Sequence, residues 1–172
     1  MRCARLLACA AVLLAGCSPV LDWREVQPEG AFAQLMFPCK PATHVRTLEL
    51  AGARVPLSLH ACTAGQMTFA LAAADVGEVA RVGPALQQLR EAAHANLGGV
   101  VQAMAIPRVD GMTPQPATQR MLVRGQRPDG TAVVEDVFVF SRGTRVYQAS
   151  VLGVSLEAEP VETFLGSIKL RS

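Results

Sequence analysis

The stretch MTFALAAADVGEVARVGPALQQLREAAHANLGG, residues 67–99, decides the architecture because its apolar pattern changes period once. Met67 to Ala74 is almost wholly apolar, as expected of a central strand buried on both faces. From there the apolar residues Val79, Val82, Leu86, Leu89, Ala93 and Leu97 fall three or four apart, one stripe of an amphipathic helix. Arg81, Gln87, Gln88, Arg90, Glu91 and His94 occupy its other sides. Proline fits a first helical turn, so Pro84 predicts a well-formed helix from near Gly83. Gly98-Gly99 ends it, where a left-handed residue is wanted.

Before this stretch, Ala31 to Phe37 reads as a strand stopped by Pro38, and Cys39-Lys40-Pro41 as a turn. Val45 to Leu50 and Val55 to Cys62 are two further strands, separated by Ala51-Gly52-Ala53. Pro56 predicts an edge position for the second. With the turn Thr63 to Gln66, these strands suggest an antiparallel meander. After the helix, Val100 to Ile106 is strand-like and the proline-rich run Pro107 to Pro116 is a loop. Thr118 to Gln126, Ala132 to Phe140 and Val146 to Leu152 complete the sheet, with Pro128-Asp129-Gly130 and Arg142-Gly143-Thr144 as turns. A short helix from Glu159 to Leu165 and the tail Ile168-Lys169-Leu170 follow. The expected fold is α/β (α+β): an antiparallel sheet of about six to seven strands with helices packed on its faces.

The N-terminus has a different character. Arg2 and Arg5 precede an apolar run, Leu6 to Leu14, too short for the roughly 20 residues that span a bilayer. Leu14-Ala15-Gly16-Cys17 closes it and resembles the bacterial lipobox. The resemblance implies cleavage before Cys17 and lipidation of that cysteine with several acyl chains. One chain holds a protein only marginally; several make the anchor effectively permanent. Residues 1–16 are then a signal peptide, 17–29 a lipidated tether and 30–172 a single domain. Trp23, in the tether, is expected to pack on the domain; the bilayer interface is its alternative. The implied location is the bacterial cell envelope, with Ser18 in place of Asp favouring the outer membrane, facing the periplasm.

The chain has 16 Lys and Arg against 14 Asp and Glu, but Arg2 and Arg5 leave with the signal, so the mature chain is formally neutral. The basic excess belongs to export, and no nucleic-acid partner is expected. Of five cysteines, Cys3 and Cys9 also leave and Cys17 carries lipid. Cys39 and Cys62 remain, an even pair in an oxidising compartment, and a disulfide is the expected reading. A buried free pair and a metal site with His60 are the alternatives, the latter lacking the close ligand spacing of zinc sites.

The ends of the domain carry Leu35-Met36-Phe37-Pro38 near the start, Gly143 and Arg145-Val146-Tyr147 late in the sheet, and Phe164-Leu165-Gly166-Ser167-Ile168 at the finish. On these motifs the domain resembles the PsbP-like superfamily. The resemblance spans Ala31 to Leu170 and implies an antiparallel sheet with helices on both faces, in accessory or adaptor modules. Independently of the family, Tyr147 suits a buried ring with a hydrogen-bonded hydroxyl, and Phe164 suits a plug between the last helix and the sheet.

No catalytic constellation emerges. His44 falls in a turn, His60 on the strand face opposite Val55, Leu57 and Leu59, and His94 on the polar side of the helix. Glu135 and Asp136 are adjacent on a strand and so point to opposite faces, which excludes a dyad and leaves one of them on a solvated face. Arg120, Arg124, Arg127, Arg142 and Arg145 crowd the last strands, either as an anion or lipid-headgroup site or as ordinary surface. No catalytic residue, metal ligand or cofactor is assigned. The expected function is a non-enzymatic envelope accessory or adaptor module, with the membrane and an envelope protein as partners. A binder of a small or apolar ligand in a cleft between sheet and helix is the alternative, and a hydrolase the third.

Overall fold

The computed structural model describes residues 20–171. Seven strands form one antiparallel sheet: β3 (Ala42–Leu50), β4 (Ala53–Ala64), β5 (Met67–Asp75), β9 (Arg145–Gly153), β8 (Ala132–Arg142), β7 (Gln119–Gln126) and β6 (Val100–Met104), in that spatial order. The apolar run at 67–75 is the third strand in, flanked by β4 and β9. A second sheet holds β2 (Ala33–Phe37) between β1 (Arg24–Val26) and β10 (Lys169–Leu170). Helix α1 (Val79–Leu97) covers one face of the large sheet. The small sheet and α2 (Ala158–Gly166) cover the other. The fold is therefore α+β, with helices packed on the faces of a sheet.

Strand alternation divides the core in two. Phe69, Leu71 and Ala73 on β5, Phe138 and Phe140 on β8, and Tyr147, Ala149 and Val151 on β9 meet Phe37 and Phe164 on one side. Ala72 and Ala74, Val137 and Val139, and Val146 point the other way, against Val82, Ala85, Leu86, Leu89 and Ala93 of α1. The helix ends on Gly98, whose φ of 59° is left-handed and whose N–H donates to the His94 carbonyl at 2.9 Å. Beyond it the chain passes so close to β7 that a Cβ on Gly99 would lie 1.7 Å from the Arg124 carbonyl oxygen. Glycine is the only residue that fits there.

Five expectations need correction. The stretch 17–29 is not all tether: Arg24–Val26 pairs antiparallel with β2, and the Asp22 N–H donates to the Pro38 carbonyl at 2.9 Å. Three residues with little apolar content carry no periodicity, and only pairing with the edge of β2 makes a strand of them. The run from Ala31 leads a separate sheet rather than the meander, since Phe32 turns with φ 51° and strand geometry begins at Ala33. Strand β4 is internal, with β3 outside it; Pro56 is tolerated because pairing with β5 stops at Leu57. Helix α1 starts at Val79, a turn earlier than Pro84 suggested. Pro84 lies past the first turn, so the helix forgoes the bond to the Ala80 carbonyl, and the packing of Val82, Ala85 and Leu86 on the sheet carries it across that gap. His44 sits in β3, paired with Leu59, rather than in a turn.

Candidate functional site

Cys17 and the whole export segment lie outside the described residues. The chain just after them is placed. A Cβ built on Gly65, in the β4–β5 turn, would stand 3.3 Å from Leu21 Cδ2 and 3.6 Å from Val20 Cγ1. Trp23 follows, its ring edge-on to Phe69 at 6.1 Å, so it packs on the domain. The cysteines expected to pair do so: Cys39, after β2, and Cys62, late in β4, have sulfurs 2.09 Å apart and Cα atoms 6.0 Å apart. The pair joins the small sheet to the large one. It also removes both thiols from any metal site with His60.

A buried ion cluster lies where α2 meets β7 and β8. Arg120 is buried, and its Nε and Nη2 donate to the two carboxylate oxygens of Asp136 at 2.9 and 2.8 Å. Nη2 also reaches Glu162 of α2 at 2.5 Å. Asp136 is buried too, while the Glu162 side chain stands 58% exposed, so one carboxylate satisfies the charge inside and the other meets water. The hydrogen bonds from Arg120 to Asp136 hold the guanidinium charged more firmly than usual, against the opposing effect of burial. The group thus clamps α2 to the sheet. Asp136 corrects the expectation for the Glu135-Asp136 pair, since neither is on an open face: Asp136 is buried with Arg120, and Glu135 is half-buried, its carboxyl pushed up by burial. One sequence signal pointed here: Asp136 shares its strand face with Val134, Phe138 and Phe140, and a carboxylate among such neighbours needs a cation.

Beside the clamp runs a cleft between sheet and helix, with a volume of 360 Å³. Met104, Leu122 and Val134 form its floor and Leu156 and Val161 its wall. A second groove of 470 Å³ crosses β3, β4 and β5 under Glu29 and Gly30, with Thr43, Ser58, Asp75 and Arg145 among its lining residues. Next to it, His60 is 1% exposed, its Nδ1 2.9 Å from Thr43 Oγ1 and its Nε2 without a hydrogen bond. Burial pushes this imidazole below its ordinary value, although nearby Glu29 acts in the opposite sense. Alternation placed His60 on the correct face; what it could not show is the segment at Glu29 that covers it.

The five arginines of the last strands do not converge. Arg120 is held in the clamp, Arg142 donates to the Leu170 carbonyl at 3.2 Å, and Arg145 stacks over the Phe32 ring at 3.6 Å with Asp75 at 3.7 Å. Arg124 and Arg127 remain exposed. His94 is exposed, its Nε2 2.9 Å from the Gly99 carbonyl. Among the described residues no three His, Cys, Asp or Glu side chains are grouped to hold a metal, and no helix is long and apolar enough to cross a membrane.

No protein-family model and no curated protein matches the chain. Among solved structures it is similar to a Bacteroides thetaiotaomicron VPI-5482 protein, at 12% identity and a TM-score of 0.41. The similarity covers 88% of this chain, which spans 42% of the length of that one.

Proposed function

We propose that the chain is a lipid-anchored envelope protein whose domain serves as a non-enzymatic accessory or adaptor module. The observation that carries the reading is the junction Leu14-Ala15-Gly16-Cys17, closing a basic and then apolar leader only a few residues before a folded domain. The paired Cys39 and Cys62 support an oxidising compartment. The polar groups of the interior support a structural role, because the Arg120 clamp spends its charge on Asp136 and Glu162 rather than presenting it. The resemblance to the PsbP-like superfamily favours an adaptor over an enzyme.

Two measurements on the protein expressed with its own leader test this. The N-terminal peptide of the membrane fraction is expected to begin at an acylated Cys17, and Cys17→Ala to release the protein from the membrane. Crosslinking in intact cells, followed by purification, is expected to capture a recurrent envelope protein. An N-terminus elsewhere than Cys17, or no partner under efficient crosslinking, overturns the corresponding half of the reading. The cleft between β7, β8 and α2 favours a second reading, a binder of a small amphipathic ligand. Native mass spectrometry of the detergent-free protein would then show a bound mass that Leu122→Trp removes.

A further inference from the structure

We infer that one end of the domain, formed by the β4–β5 turn, the β7–β8 turn and the β9–α2 connection, lies against the lipid surface that holds Cys17. The inference rests on the lipid anchor proposed above. Cys17 and Val20 are three residues apart, and an extended chain covers at most about 3.5 Å per residue, so the acylated residue lies within about 10 Å of Val20. The chain from Val20 onward is not free to swing. Val20 and Leu21 lie at Gly65, the Asp22 N–H is bonded to Pro38, and Trp23 packs on Phe69. A domain fixed this close to its anchor must present a particular end to the membrane.

Strand register identifies that end. Met67 and Val134 both pair with Gly153, Gln126 pairs with Ala132, and Val100 pairs with Arg124. Gln66, Val154, the turn after Gln126 and Val100 therefore share the end where Val20 sits. Asp75, Arg142 and Arg145 mark the opposite end. On the near end Val20, Val100 and Val154 are 73%, 74% and 62% exposed, side chains that can enter a headgroup–acyl boundary; at the far end Val79 is 68% exposed and Phe32 lies under the Arg145 guanidinium. Arg124 and Arg127 are exposed beside Val100 and can meet anionic headgroups. Acids flank them: Asp129, in the β7–β8 turn, accepts from the Thr131 N–H at 2.9 Å and stays charged, and Glu157 and Glu159 open α2 beside Leu21 and Trp23. The basic and apolar corner of this end is thus the one at Val100, Arg124 and Arg127, away from the acids of α2, and the domain leans on that corner. A protein partner must then reach it along the membrane or at the far end, by Asp75 and Arg145.

Amide hydrogen exchange tests the orientation. The full lipidated chain in vesicles of phosphatidylethanolamine and phosphatidylglycerol is compared with unlipidated Cys17→Ala in solution. Exchange is expected to slow several-fold at residues 64–66, 98–101, 127–131 and 153–156, and to stay unchanged at 75–77 and 110–117. In Arg124→Glu/Arg127→Glu, 98–101 and 127–131 are expected to be released while 64–66 stays slow. Acylated Cys17 with equal exchange changes at both ends overturns the orientation alone. Slowing that follows protein rather than lipid concentration assigns the surface to a second copy and overturns it as well. An unmodified Cys17, read from the same digests, overturns the anchor itself.

Discussion

The two faces of the large sheet are packed with different chemistry. The face under α1 is aliphatic, built from Val, Leu, Ala and Met. The face under the small sheet and α2 holds Phe37, Phe69, Phe138, Phe140, Tyr147 and Phe164, with Trp23 at its margin. Phe138 stacks on Phe140 at 4.4 Å and Phe140 on Tyr147 at 5.1 Å, while Phe164 meets Phe37 and Phe69 edge-on at 5.2 and 5.4 Å. The difference follows the chain. The α1 face is closed by a long helix whose own stripe supplies much of the packing. The other face is closed by short pieces from both termini, which cannot hold themselves and need large, well-fitting side chains as anchors. The Tyr147 hydroxyl, donating to the Ala31 carbonyl at 2.9 Å, adds a polar fastening to the same face.

The most direct way to break this comparison is to truncate one anchor on each face. Phe164→Ala is expected to destabilise by about 5 kcal/mol, at the upper end of the range for buried phenylalanine, and Leu86→Ala by about 3 kcal/mol. Urea titrations followed by circular dichroism give both values. A larger loss from Leu86→Ala would mean that the aliphatic face, and not the aromatic one, carries the greater share.

These faces were unequally legible in the sequence. The helix stripe from Val79 to Leu97 and the apolar run at 67–74 show their period directly, so the large sheet and α1 follow from pattern. The small sheet does not, because Arg24–Val26 and Lys169–Leu170 are too short and too polar to show any period. Tyr147 and Phe164 were legible as buried single residues and Ala31 to Phe37 as a strand; the sheet that this strand forms with β1 and β10 was not. Arg120 was hidden for another reason. It alternates with Met121 and Val123 as a solvent-facing residue would, and only the later docking of α2 closes water off from it.

That clamp gives the second test. Arg120→Ala leaves Asp136 buried without its cation and is expected to cost about 3–4 kcal/mol. Replacing both, as Arg120→Met/Asp136→Leu, is expected to recover most of that loss, because well-packed apolar residues often match a buried ion pair. A double variant as unstable as Arg120→Ala would show that the remaining Glu162 contact or the shape of the cleft is what matters. The third effect is slightly smaller. Opening Cys39–Cys62 frees a loop of sequence separation 23, for which loop-closure entropy gives about 3 kcal/mol. Reduction of the folded protein should lower its urea midpoint by a corresponding amount, and Cys39→Ser/Cys62→Ser should do the same without reductant.

The smallest expected effect is a dependence on pH, and it also belongs to the aromatic side of the sheet. His60 is buried on the face of β4 that looks toward Glu29, and burial keeps its imidazole below the ordinary value of 6.5. Above about pH 6.5 the residue is neutral in both folded and unfolded chains, and its contribution is fully present. As pH falls through that value the unfolded chain takes up the proton first, so stability is lost until the folded imidazole also titrates. The loss is bounded by about 1.4 kcal/mol for each pH unit of that window. The measurement is the urea midpoint between about pH 7 and about pH 5, compared with His60→Gln, which can still bond Thr43 but cannot titrate. Carboxylates contribute equally to both proteins, so the difference between their slopes isolates the histidine. Parallel slopes would mean that the imidazole is solvated and that the segment at Glu29 does not close over it. The aromatic face would then be sealed by its rings alone.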